Sequence, residues 1–233
     1  MRHMKKLTAL LLAIVMTLGL TGCSLLKPEL LGTYETEVDL RTAVIQQFDS
    51  GTTLSGTAYS LENYLEAFPV TIRFVFTEEG MYSITVDKNS IQTSLDGLKA
   101  AAAAMIDDYI FDSVKARYEA YGFVVETRDD VAAYVNMSWN ELCTTVLEVP
   151  LISYVDVIIT NSFVDTLTAQ YCNEGYFSAR NGQLHLSEYI DLKPSDEIYE
   201  TYEMDGSTVT FTGGVSLEDN VRIPYPYTLE KIG

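Results

Sequence analysis

Few side chains in this sequence are equipped for chemistry, and their spacing limits what each can do. The two histidines are His3, in the amino-terminal run, and His185. His185 lies two positions before Ser187 on one alternating segment, so a base and a nucleophile share a polar strand face without a third group to orient the base. A solvated surface histidine is the simpler reading. With 33 Asp+Glu residues, no two stand out as the paired carboxylates of a glycosidase. Asp87-Lys88-Asn89 opens like a calcium loop, but Ile91 and Leu98 stand where oxygen ligands are needed. Cys143, Cys172 and His185 lack the spacing of a zinc site. No glycine-rich phosphate loop follows a strand, and Gly213-Gly214 reads as a join between β segments. The residues point to a non-enzyme with no metal and no cofactor.

One thiol has a defined chemistry. Arg2, Lys5 and Lys6 give a cationic start, Leu7 to Leu20 is an almost unbroken apolar run, and Leu20-Thr21-Gly22-Cys23 ends it with small residues before a cysteine. The run of about 14 residues is short of the roughly 20 that span a bilayer as a helix. This segment resembles the bacterial lipoprotein signal with its lipobox. The resemblance implies that the Cys23 thiol receives diacylglycerol and that the chain is cut just before it. Residues 1–22 are then a signal peptide, and 23–30 are a tether holding the protein to the cell membrane, facing outside the cytoplasm. Each buried methylene is worth about 0.8 kcal/mol, so one acyl chain anchors weakly and two or three hold persistently. Ser24 to Leu30, at about 3.5 Å per residue, reaches no more than roughly 25 Å, which keeps the folded part close to the membrane.

Charge narrows the partners. The whole chain carries a formal charge of −18. Removing residues 1–22 takes three of its 15 Lys+Arg and none of its 33 Asp+Glu, leaving −21. Such a surface repels nucleic acid and anionic headgroups and favours cationic partners. Asp107-Asp108, Asp129-Asp130 and Glu78-Glu79 read as exposed faces and turns. With 47% hydrophobic residues the chain can bury a full core in one domain. Cys143 and Cys172 leave two readings open, a disulfide formed in an oxidising exterior or small free thiols, and their place in expected helices favours the thiols.

The elements that would position any site follow from two periods. Period-two alternation places Tyr34, Thr36, Val38 and Leu40 on one face of 33–40, Ile72, Phe74 and Phe76 on one face of 71–77, and Tyr82, Ile84 and Val86 together after the Glu78-Glu79-Gly80 turn. Asn181-Gly182 is a type I′ hairpin signal between 175–180 and 183–188, and Asp205-Gly206 reads as the same device between 196–204 and 207–212. Val209 and Phe211 face inward, and Ile223, Tyr225, Tyr227 and Leu229 share a face. Pro224 and Pro226 place the start of that last strand at an edge or bulge. Between the strand groups, 90–170 reads as helix. Ile91, Leu95, Leu98, Ala102, Met105, Ile106, Ile110 and Val114 recur every three or four positions, and Gly122 ends the run. Ser138 opens a second helix through a capping box with Glu141, and a third follows Pro150 with Leu151, Val155, Ile158, Ile159 and Leu167. Short helices are expected at 41–48 and 60–67.

Leu31-Gly32-Thr33-Tyr34, Glu37-Val38-Asp39-Leu40, Gly175-Tyr176-Phe177 with Asn181-Gly182 and Leu184-His185-Leu186, and the closing Tyr225-Pro226-Tyr227-Thr228-Leu229-Glu230-Lys231 together look like the small lipocalin-like (calycin-type) lipoproteins of bacteria. The resemblance covers roughly 31–88 and 174–231. It implies an α+β fold, an antiparallel lipocalin-like β-barrel or half-barrel of about eight strands over 31–233, with a helical insertion at about 90–170. It also implies a small hydrophobic ligand.

Two roles follow as expectations. In the first, the inner aromatic face of Tyr34, Phe74, Phe76, Tyr82, Phe211, Tyr225 and Tyr227 binds a small apolar or amphipathic molecule. In the second, the helical insertion docks an envelope protein, which requires exposed apolar surface on 90–170. An apolar face on every strand serves a packed core equally well.

Overall fold

The computed structural model describes residues 29–50, 58–187, 192–215 and 223–232, so Cys23 and its leader lie outside the described residues. Eight strands follow one another round a closed barrel, each hydrogen-bonded to the next in sequence and the last to the first. They are β1 (Gly32–Asp39), β2 (Pro69–Phe76), β3 (Met81–Val86), β4 (Asn173–Arg180), β5 (Gln183–Leu186), β6 (Tyr199–Asp205), β7 (Thr208–Val215) and β8 (Tyr227–Lys231). Helices α1 (Arg41–Ser50), α2 (Lys88–Ala120), α3 (Arg128–Val135), α4 (Trp139–Leu147), α5 (Leu151–Ile158) and α6 (Asn161–Ala169) interrupt the strand order, five of them between β3 and β4. The fold is therefore α+β, with a closed lipocalin-like antiparallel barrel and a helical insertion.

Alternation is why these segments are strands. In β2, Val70, Ile72, Phe74 and Phe76 are buried while Pro69, Thr71, Arg73 and Val75 are only partly covered. In β3, Tyr82 and Ile84 are the buried pair. Closure is made by β1 and β8, with Tyr34 opposite Lys231 and Glu35 opposite Glu230, and by the Ile232 N–H donating to the Thr33 carbonyl at 2.9 Å.

Turn chemistry differs between the two hairpins. Asn181 and Gly182 both have positive φ, 53° and 71°, as a type I′ turn requires. In the second, Asp205 pairs with Thr208, so the central residues are Gly206 and Ser207 rather than Asp205 and Gly206. Only Gly206 has positive φ, at 62°, which fits a type II′ turn with glycine first. Gly213 and Gly214 lie inside β7, opposite Thr201 and Glu200, beside a register shift at Thr201/Tyr202. The strand that was expected to include Tyr225 starts at Tyr227, just past both prolines.

The chain divides into two compact units. One gathers the residues up to Glu35, Phe74–Ser83 and the chain from Glu174. Its core is Leu30, Tyr34, Phe74, Phe76, Tyr82, Phe177, Ala179, Leu184, Tyr202, Val209, Phe211, Tyr227 and Leu229, all buried.

The other unit gathers Thr36–Arg73 and Ile84–Asn173. Here α2 buries the stripe predicted for it, through Leu95, Leu98, Ala102, Met105, Ile106 and Ile110. The Asp87 side chain caps that helix by accepting from the Asn89 and Ser90 N–H groups, which explains why Asp87-Lys88-Asn89 imitates the start of a calcium loop. At the far end, Gly122 at φ 86° completes a Schellman closure: its N–H donates to the Glu119 carbonyl and the Phe123 N–H to the Tyr118 carbonyl. Thr127 and Asp130 form a capping box that opens α3, a helix absent from the sequence reading, and Ser138 with Glu141 forms the expected one at α4. The single helix expected after Pro150 breaks at Ile159-Thr160 into α5 and α6. The segment 60–67 holds only a 3-10 turn, Leu61–Asn63.

Phe211 is fully buried. Phe211→Ala is expected to cost about 3–5 kcal/mol, the range for emptying a fully packed aromatic site. Urea unfolding followed by far-ultraviolet circular dichroism measures it, and a loss below about 1 kcal/mol would mean that the ring does not fill the barrel.

Candidate functional site

All seven aromatic positions read from the sequence lie in the barrel unit, and the structure sorts most of them into two groups. Tyr34 meets Phe76 edge-on at 6.0 Å, Phe74 stacks on Phe76 at 6.5 Å, and Phe76 tilts against Phe177 at 4.9 Å. Phe211 stacks on Tyr227 at 4.7 Å and 11°, Tyr227 on Tyr225 at 5.7 Å, and Tyr202 tilts against Phe211 at 5.8 Å. Tyr225 is half-buried, whereas the other six predicted residues are buried. Tyr82 serves a different purpose. Its hydroxyl donates to the Ser187 carbonyl at 2.8 Å. Gly175 is required beside it, because a Cβ there would lie 2.2 Å from the Ser187 Oγ and 3.2 Å from the Tyr82 ring.

Sequence reading missed the polar groups among these rings. Leu184 pairs with Glu200 across β5 and β6, which turns both side chains to the barrel interior. The Glu200 Oε1 accepts the Tyr225 hydroxyl at 2.7 Å and the Tyr227 hydroxyl at 3.0 Å. Gly214 keeps the place of that first hydroxyl open, since a Cβ there would sit 3.1 Å from the Tyr225 Oη and 2.4 Å from the Tyr199 carbonyl oxygen. Burial raises the Glu200 carboxyl above the ordinary range for glutamate, with the two tyrosine hydrogen bonds opposing it. Burial, reinforced by the neighbouring carboxylate, pushes the Tyr225 and Tyr227 phenols up. A second carboxylate works in the opposite sense. Glu29 accepts from the Tyr202 hydroxyl at 2.7 Å and from the Asn181 N–H at 2.9 Å, and those bonds lower its pKa.

The hydrolase arrangement is not formed. The Ser187 Oγ accepts the Tyr176 N–H at 2.8 Å and is buried, not displayed on a polar face, and the His185 Nδ1 sits 2.9 Å from the Ser195 carbonyl oxygen. Among the described residues no group of three or more His, Cys, Asp or Glu side chains could hold a metal ion.

The helical unit has its own polar centre. Asp107 and Asp108 are not simply a solvated face: the Arg128 Nε donates to the Asp107 Oδ2 at 2.7 Å, and its Nη2 pairs with Asp108. The Trp139 Nε1 donates to the Asp107 Oδ1 at 2.6 Å, and the Tyr64 hydroxyl to the Asp108 Oδ2 at 3.0 Å. Arg128 lies over the Phe111 ring at 4.8 Å. Cys143 and Cys172 are both free. Burial, with Asp107 nearby, pushes the Cys143 thiol up to about 11. Cys172 is exposed and lies beyond the end of α6 rather than in a helix.

The same unit displays apolar surface. Tyr118, Phe123 and Tyr134 pack ring to ring at 5.0 to 5.8 Å, and the Tyr134 hydroxyl donates to the Val124 carbonyl at 3.1 Å. Nevertheless Tyr121 and Val124 are 73% and 71% exposed, and Phe123 and Tyr134 are exposed as well. Val146, Val149, Ile152 and Val157 are exposed on the α4–α5 stretch. Among the described residues no single helix is long and apolar enough to cross a membrane, and Trp139–Leu147 with Leu151–Ala169 passes only as a pair bent by 40°.

These features define the class as an α+β protein built on a closed lipocalin-like barrel with a helical insertion. No family model, curated protein or solved structure matches the chain.

Glu200 gives the barrel a pH signature. Its folded-state pKa is raised, so its contribution to stability is fully present below the ordinary glutamate value and is lost as pH rises through the folded value. Glu200→Gln does not titrate. The melting temperature of the native protein minus that of E200Q is therefore expected to be larger at pH 5 than at pH 8. A constant difference, or one that grows towards pH 8, contradicts the burial of this carboxyl.

Proposed function

We propose that the protein is a non-enzymatic envelope lipoprotein, acylated at Cys23 and facing outside the cytoplasm, whose helical insertion docks a membrane-associated protein. The observation that carries this reading is the exposed apolar surface of Tyr121, Phe123, Val124 and Tyr134, in which Phe123 and Tyr134 pack ring to ring. Large rings left in water are costly, and tyrosine and phenylalanine are the side chains on which interface energy concentrates. Glu126 and Asp129 follow the helix end and are exposed, while Glu119 pairs with Lys115 at 3.9 Å and Arg117 is exposed nearby. Glu126 and Asp129 favour a protein partner with a basic border on their side and oppose insertion among anionic lipid headgroups there. A tether of roughly 25 Å at full extension would keep the folded chain close to the membrane.

A second reading, a small-molecule site in the barrel, is favoured by a different observation. Glu200 with the hydroxyls of Tyr225 and Tyr227 is a small polar fixture among buried aromatic rings, the composition expected of a ligand-orienting site.

The docking role is tested in native membranes of the producing bacterium, solubilised gently and resolved by native electrophoresis. The wild-type chain should migrate in a complex, and Val124→Asp should migrate as the free chain with an unchanged melting temperature. A wild-type chain that already runs free, or a complex that survives V124D, would refute docking at this surface. Recovery of the free chain carrying a thioether-linked diacylglycerol at Cys23 is the expected state in either lane.

A further inference from the structure

Resting on the second reading, we propose that the barrel takes a small organic cation, a protonated amine with a short apolar tail, and that the Glu200 carboxylate is its counter-ion. The geometry of the carboxyl carries the argument. Both tyrosine hydroxyls converge on Oε1, which fixes the plane of the group and fills that oxygen's lone pairs. Oε2 has no hydrogen-bond partner among the described residues, and no described Lys or Arg forms an ion pair with Glu200. A carboxylate partly withdrawn from water beside aromatic rings is destabilised in its charged form, and a cation placed against it offsets that cost. Among the described residues the carboxylate meets two donors and no compensating positive charge, and the proposed ligand supplies that charge.

The surroundings specify what kind of cation. A calcium ion needs six to eight oxygen ligands, and one carboxylate whose neighbouring phenols already act as donors does not offer them. An ammonium group needs one carboxylate oxygen and gains further from π-systems close by. Tyr227 and Tyr225, stacked in series with Phe211, reach the carboxyl through their hydroxyls, and Leu184, paired with Glu200, makes the adjoining wall apolar. Gly214 allows the close approach of β7 to the Tyr199 carbonyl, where a Cβ would lie 2.4 Å from that oxygen and 3.1 Å from the Tyr225 hydroxyl. The net charge of −18 raises the local concentration of cations and speeds their approach.

Isothermal titration calorimetry of the purified full-length protein tests this with three probes that share one carbon chain: n-hexylammonium, n-hexanol and hexanoate. At pH 8, n-hexylammonium should bind at least about tenfold more tightly than n-hexanol, and hexanoate should not bind, a ratio corresponding to about 1.4 kcal/mol. Affinity for n-hexylammonium should fall about tenfold in E200Q. In the wild type it should fall in the same direction as the pH is lowered, because the probe keeps its charge while Glu200, raised by burial, gives up its own before an ordinary glutamate does. If E200Q does not fold, the pH comparison on the wild type decides alone. Equal binding of hexanol and hexylammonium, or an affinity indifferent to pH, overturns the cation proposal while leaving a barrel site standing. Failure of all three probes to bind overturns both.

Discussion

A sheet in water has two edges that must be answered, and here the answer is the seam between β1 and β8. The Ile232 amide and the Thr33 carbonyl meet across it, and two residue pairs continue the ladder. Closure removes unpaired strand edges and at the same time creates an inside. With eight strands that inside is just wide enough to be filled by side chains or to hold one small molecule. Every residue discussed in the barrel, from Phe211 to Glu200, has its environment because that seam is shut. If it opened, the carboxyl of Glu200 would be hydrated and the alternating aromatic face would be one side of a half-wet sheet.

The helical unit solves its own problem by other means. Helices that present few apolar residues per turn need specific polar ties to fix their directions. Arg128 supplies one by reaching from α3 to two adjacent carboxylates of α2, with Trp139 of α4 bonded to one of them. The planar guanidinium suits this because it offers several donors in a fixed fork and still stacks on Phe111. The aromatic cluster around Phe123 begins as an ordinary consequence of ending α2, since a Schellman closure brings residues such as Tyr118 and Phe123 together. Its exposure is what lifts it beyond that role. Tyr121 caps the helix through its backbone alone, and the side chains of Tyr121 and Val124 both stand in solvent.

Much of the fold was legible because its signals are local. The alternation in β2 and β3, the Asn181-Gly182 turn, the Ser138 box and the α2 stripe each depend on residues a few positions apart. What escaped depends on residues far apart. Asp107-Asp108 reads as a solvated run until Arg128, some twenty positions on, is placed against it. The α3 box uses Asp130 where the common pattern has Glu or Gln, and the helix is one of the shortest. Glu200 escaped because the stretch around β6 carries Tyr or Glu on either face, so alternation alone does not say which side is inside. Pairing with Leu184 decides it, and pairing is a property of the closed sheet. Six of the seven aromatic candidates are buried and Tyr225, ahead of the strand, is half-buried, while Phe177, Tyr202 and the carboxylate bonded to both phenols join them.

The site inside the barrel requires that the barrel be shut, and hydrogen exchange at single amides reads that directly. The Ile232 amide is the reporter, because its partner lies across the seam on the opposite end of the strand order. A closed barrel predicts that Ile232, with the paired amides of Tyr34 to Glu35 and Glu230 to Lys231, exchanges far more slowly than an unstructured chain and loses protection together with the β6–β7 ladder. Exchange of these amides at free-chain rates while β6 and β7 stay protected would show an open edge and contradict the account.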